Sequence, residues 1–148
     1  MITTGDDAQP PFHSVSVAGA VIRSDGRVLV VQRRDNGHWE PPGGVLELDE
    51  TFEEGVRREV AEETGVDVAV ERLTGVYKNM SRGVVALVFR CRPIGGVPTE
   101  TDEAQHVRWL SPDEVQQHMS PAYAVRISDA LSDGVATRAH DGVHIIDR

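Results

Sequence analysis

The 148-residue sequence has one cysteine, no long apolar run and a shortage of positive charge. Cys91 alone can make neither an internal disulfide nor a cysteine-based metal cage, and its place in an apolar run reads as a core thiol. No stretch approaches the ~18 apolar residues of a membrane-spanning helix. The opening MITTGDDAQPPFH lacks the basic flank and apolar segment of a secretion signal, so a cytoplasmic location is expected. Fifteen basic residues stand against 24 acidic ones, and the net charge of -9 repels nucleic-acid polymers and acidic membranes. A small nucleotide would be repelled too, unless divalent cations bridge acidic side chains to its phosphates. Absent as well are internal repeats, a P-loop pattern, an EF-hand loop, a G-x-S-x-G elbow and a histidine partner for Cys91.

What is present, 39% hydrophobic and 26% charged residues, fits one globular domain. Residues 1–12 are polar, end near Pro10-Pro11 and read as a loose arm before a single domain over 13–148. Val15, Val17, Gly19 and Val21 alternate as in a strand with one buried face, and Ser24-Asp25-Gly26 turns into a second strand, Val28 to Val31, as a hairpin. Pro41-Pro42-Gly43-Gly44 reads as loop. Thr51 and Glu54 have the form of a capping box, Gly65 suits a left-handed helix end, and Phe52, Val56 and Val60 mark the inward stripe of the helix between them. Gly55 in that helix points to close packing. Strands are expected over Val68 to Leu73, Val84 to Cys91 and His106 to Leu110, with a turn at Gly95-Gly96. Ser111-Pro112 and Ser120-Pro121 start two helices, the second running to about Leu131, and Asp141-Gly142 turns a terminal hairpin. The order implies a mixed sheet with helices on both faces.

Glu59, Glu62 and Glu63 stand at i, i+3 and i+4, so three like charges share one side of the capped helix. A divalent cation makes such a cluster tolerable, and oxygen-only ligands favour magnesium or manganese. By spacing alone, a solvated acidic face laced by i, i+4 ion pairs is the favoured reading.

The whole segment from Gly43 to Val66, GGVLELDETFEEGVRREVAEETGV, resembles the Nudix box. Gly44 is followed after five residues by Glu50, after seven more by Arg58-Glu59 and Val60, then by Glu62-Glu63, Gly65 and Val66. The strands before the box, Trp39 and the Trp109 strand before a Ser-Pro helix are also similar to this family. The resemblance implies an α/β/α sandwich with a mixed central sheet. It implies a hydrolase that cuts a phosphoanhydride bond in a nucleoside diphosphate linked to another group. It also implies metal ligands at Glu59, Glu62, Glu63 and the Gly43 carbonyl, and an Arg58 that holds a carboxylate such as Glu50. The chemistry suits these residue types, because cations stabilise charge spreading over phosphoryl oxygens and a nearby carboxylate takes a proton from water.

Outside the box, Arg33 and Arg34 are candidates to hold substrate phosphates, or are an ordinary exposed pair. Trp39 anchors its loop or stacks on a base, and Tyr77, Lys78 and Arg82 are candidates to line the leaving-group pocket. Glu62 or Glu59 is expected to act as general base, Glu103 as a further ligand on a mobile loop, and a lone His106 as structural. No subfamily marker selects among nucleoside triphosphates, ADP-ribose, sugar nucleotides and dinucleoside polyphosphates; the compact size favours the first. A non-catalytic sensing module would carry an eroded box or an attached DNA-binding domain, and the box is intact. The resemblance and the apolar tail Val143 to Ile146 suggest a homodimer.

Overall fold

A computed structural model describes residues 9–148. The arm expected over residues 1–12 falls largely outside the described residues; residues 9–13 have no regular structure. The elements are β1 (Ser14–Val21), β2 (Val28–Arg33), β3 (Trp39–Glu40), β4 (Gly43–Val45), α1 (Phe52–Thr64), β5 (Val66–Asn79), β6 (Val84–Gly96), β7 (Ala104–Leu110), α2 (Pro112–His118), α3 (Pro121–Ala130), β8 (Ala136–His140) and β9 (Ile145–Ile146).

Two sheets result, a six-stranded mixed one in the order β4-β1-β6-β5-β8-β9 and a three-stranded one in the order β3-β2-β7. Alternating side chains feed two cores. Val17 and Val21 of β1 and Leu29 and Val31 of β2 meet Val56 and Val60 of α1, whereas Ala18, Ala20, Val28 and Val30 meet Val115 of α2 and Ala124 and Ile127 of α3. The helices therefore cover opposite sides of the sheets, an α/β sandwich. None among the described residues is long and apolar enough to cross a membrane.

Several expectations change. β1 is buried on both faces, because Ala18 and Ala20 present small side chains under α3 while the valines face α1. β1 and β2 form no sheet hairpin. β1 pairs with β4 and β6, β2 pairs with β3 and β7, and only an Ile22–Val28 bridge joins the two strands. The Pro-Gly-Gly segment is in part strand: Gly43 and Gly44 belong to β4, and Pro41 and Pro42, lacking N–H donors, separate β3 in one sheet from β4 in the other. β5 runs on to Asn79 by absorbing three register shifts, and Gly95-Gly96 ends β6 instead of turning it. The terminal hairpin forms: β8 and β9 pair antiparallel, and β8 docks parallel on β5.

Candidate active site

The box helix is set by local chemistry. The Thr51 hydroxyl accepts from the Glu54 N–H at 3.2 Å, the Glu54 carboxylate accepts from the Thr51 N–H at 2.8 Å, and Gly65 closes the helix at φ 77°. Burying Val56 and Val60 turns Glu59 and Glu63, one turn apart, inward at the edge of the core, where they are 8% and 3% exposed. Glu103, on the loop before β7, reaches the same place, and ligand oxygens of Glu59, Glu63 and Glu103 all lie within 4.8 Å of one another. The converging trio therefore differs from the expected Glu59, Glu62 and Glu63. Glu62 is exposed at the rim, where its carboxylate accepts at 3.2 Å from the same Arg58 Nη1 that bonds Glu59.

Arg58 organises this corner. It donates to both Glu50 oxygens, at 2.9 and 2.6 Å, to Glu59 at 2.8 Å and to the Val45 carbonyl at 3.2 Å. That bidentate bond and the Glu47 N–H hold the Glu50 carboxyl down at about 2. Gly44 leaves room beside the acids: a Cβ there would lie 2.6 Å from the Glu59 carboxylate and would displace it. A Cβ on Gly55 would lie 2.6 Å from Leu46, which is the close packing anticipated. Gly43 meets the cluster through its amide, which donates to Glu63 at 2.7 Å.

The trio carries more negative charge than its surroundings balance. Burial, reinforced by Glu59 and Glu103, pushes the Glu63 carboxyl up to about 8 against the pull of the Gly43 N–H and Arg33. Burial also raises Glu59, with Arg58 opposing it. Oxygen-only, and buried at Glu59 and Glu63, the donor set fits a hard divalent ion. Beside it opens a cavity of about 540 Å³, lined on one side by Gly43 and Gly44 and deeper in by Glu40, Tyr123, Arg126 and His140.

A NUDIX domain model matches residues 12–131. The chain belongs to the Nudix hydrolase family. These enzymes act on pyrophosphate bonds of nucleoside diphosphate derivatives. Over 138 residues the chain is 62% identical to a MutT-like protein of Streptomyces ambofaciens, covering 93% of this chain and 90% of that one. It is 35% identical over 106 residues to an ADP-ribose pyrophosphatase of Methanocaldococcus jannaschii, covering 67% of this chain and 63% of the relative. The crystal structure of an ADP-ribose pyrophosphatase from Streptococcus suis superposes with a TM-score of 0.73 at 25% identity, over 87% of this chain and all (100%) of that one.

Within this Nudix domain the other sequence candidates are distributed unevenly. Arg33 lines the cavity, with two donors committed to Asp35 at 2.9 and 2.7 Å. Arg34 points to the Thr101 carbonyl at 2.8 Å, and its N–H bonds the Glu103 carbonyl at 3.1 Å, so it braces the loop that carries Glu103. Trp39 packs on the core, stacked on His106 at 6.4 Å and edge-on to His118 at 5.9 Å. Tyr77 is corrected: it is fully buried beneath α3 and donates to Asp129 at 2.7 Å, so it cannot line a leaving-group pocket. The extension of β5 carries it inward; Arg82 beyond the strand does reach the cavity, whereas Lys78 does not line it. His106 lies against Trp39 with its Nδ1 3.7 Å from Glu100, while the next residue, Val107, faces the α1 core, so its ring is turned away from Glu59 and Glu63. Sequence reasoning missed Glu40, Tyr123, Arg126 and His140. None sits in a motif, and the only signal was the unplaced tail.

Proposed function

We propose that this Nudix hydrolase cleaves a nucleoside triphosphate, using magnesium, for which manganese can substitute, held by Glu59, Glu63 and Glu103. The observation that carries this reading is the convergence of those three carboxylates beside a cavity of about 540 Å³, a size that suits a nucleoside. When bound, the ion would supply charge neutralisation at the phosphoryl oxygens and a lowered pKa for water. Arg58 holds Glu59 and Glu50 in place, so it is a positioning residue. The Gly43 N–H fixes the Glu63 oxygen, and Gly44 leaves room for Glu59. Glu62, exposed and bonded only to Arg58, is assigned as the acceptor of the water proton. The intact acidic set speaks against a sensing role without catalysis.

The test is a phosphate- and pyrophosphate-release screen with magnesium over nucleoside triphosphates, ADP-ribose, sugar nucleotides and dinucleoside polyphosphates. Preferred turnover of a triphosphate is expected; preference for one of the other classes would displace that assignment, and loss of turnover in chelator is required. A homodimer belongs to the same reading, since β9 leaves an open edge on the six-stranded sheet. Light scattering that gives a monomer mass would remove it.

A further inference from the structure

Deep in the cavity lies a charge that neither the acidic trio nor the box uses. Arg126 of α3 is 6% exposed, its guanidinium lies 4.9 Å from the Tyr77 ring and 4.6 Å from the Tyr123 ring, and its Nε has no hydrogen-bond partner. Buried arginines are ordinarily paired with carboxylates. Here Glu40 acts on Arg126 only through space, and the nearest polar contact is His140 Nε2 at 3.4 Å.

That contact cannot be a hydrogen bond. The Gly142 N–H donates to His140 Nδ1 at 3.0 Å, which assigns the proton of the neutral ring to Nε2. Burial and Arg126 disfavour the charged ring. An imidazole N–H and a guanidinium N–H therefore meet donor to donor, and what they lack is an acceptor. Across the same cavity Glu40 supplies one, with no cation nearer than Arg33 at 3.9 Å. The remaining charges largely cancel: Arg33 is committed to Asp35, and Arg82 stands with Asp141 among the lining residues. A neutral ligand with adjacent acceptors and a neighbouring donor fits these walls. A phosphate dianion would satisfy the donors but bring its charge beside Glu40, Asp35 and Asp141.

We propose that Arg126 and His140 read the base of the substrate, and that this base is a 6-oxopurine, whose O6 and N7 accept from the pair while its N1–H donates to Glu40. The inference rests on the reading of the site as a nucleotide hydrolase centre and names the substrate within it. Arginine bonded to both O6 and N7 is the commonest specific contact to guanine. Adenine sets an amino group where O6 would be, so a donor meets donors and the guanidinium stays unmet. Uracil has no second acceptor beside O4. His140 belongs to β8, beyond residue 131 where the family match ends, so half of the reading pair is a feature of this chain's own tail.

The test is equilibrium binding of GMP, AMP, UMP and inorganic phosphate to the full chain in chelator, so that no turnover intervenes. GMP is expected to bind 10- to 100-fold more tightly than AMP, with phosphate failing to displace it. Arg126→Met should bring the ratio near one. Arg126→Lys, which keeps the charge but not the fork, should lose most of the ratio, and it carries the test if the methionine variant does not fold. Glu63→Gln, at the phosphate end, should retain the ratio. Equal binding of AMP, an unchanged ratio in both Arg126 variants, displacement of GMP by phosphate, or GMP binding too weak to measure at millimolar concentration would each overturn the assignment. Turnover without base preference, together with equal GMP and AMP binding, would sink this inference and leave the hydrolase reading standing. A GMP preference without turnover of any anhydride would do the reverse.

Discussion

Replacing Glu63 by glutamine separates what the acidic trio costs in stability from what it contributes to cation binding. Burial lifts the Glu63 carboxyl from 4.5 to about 8 in the folded chain. Between those values the folded state holds a proton that the unfolded state has released, so stability without metal falls as pH rises across the window and levels above about 8. At about 1.36 kcal/mol per pKa unit the full effect is at most on the order of 5 kcal/mol, comparable with the whole stability of a small domain. Glutamine removes the charge and keeps an oxygen to accept the Gly43 N–H. Glu63→Gln is therefore expected to gain a few kcal/mol over the parent above pH 8 and to converge with it below pH 4.5. Glu59 and Glu40 are raised by burial as well, so the variant's slope is reduced and not abolished. Urea unfolding in chelator across this pH range reads the difference directly. Adding magnesium should then stabilise the parent and leave the variant nearly unmoved. Equal slopes in the two proteins, or equal stabilisation of both by magnesium, would refute the account of Glu63 as a buried, cation-seeking carboxylate.

Glu103→Gln should shrink the magnesium-induced rise in melting temperature while changing metal-free stability by less than about 0.5 kcal/mol, since Glu103 is exposed; an unchanged rise would remove it from the ligand set. Glu62→Gln should cost about 10²–10⁴-fold in kcat with the magnesium shift retained, and near-native turnover would show the proton acceptor lies elsewhere. His106→Ala should cost less than about tenfold in kcat, because a working base typically costs 10²–10⁴-fold when lost; a thousandfold loss in folded protein would reverse that placement. Tyr77→Phe should destabilise by about 1–3 kcal/mol through the lost bond to Asp129 and leave KM unchanged, so a raised KM would return Tyr77 to the substrate.

The two ends of the site differ in how far they could be read from sequence, and the reason is contact range. The acid-bearing end is local: Thr51 with Glu54, Gly65, the Val56–Val60 stripe and Arg58 with Glu50 all act within 23 residues of box, where spacing fixes who meets whom. Glu103 was legible only as a candidate, because its approach depends on β7 pairing with β2. Tyr77 misled for the same reason. Alternation along β5 shows that its side chain faces one side, but not that α3 covers that side and offers Asp129. The far wall of the cavity is non-local throughout. Glu40 lies on β3, Arg126 on α3 and His140 on a strand that docks parallel to β5, so the three come from separate elements and no motif spacing joins them. An arginine on an amphipathic helix reads as surface until its neighbours are known, and only the structure reveals that it is buried and short of a partner. This division bears on function. In the proposed reading, two of the three acidic ligands come from the contiguous box, whereas the group beyond the phosphates meets residues drawn from separate elements that can change one at a time. Two chains can therefore match throughout the box and still differ in base, so a choice of base must be argued from Glu40, Arg126 and His140 and not from Glu59 and Glu63.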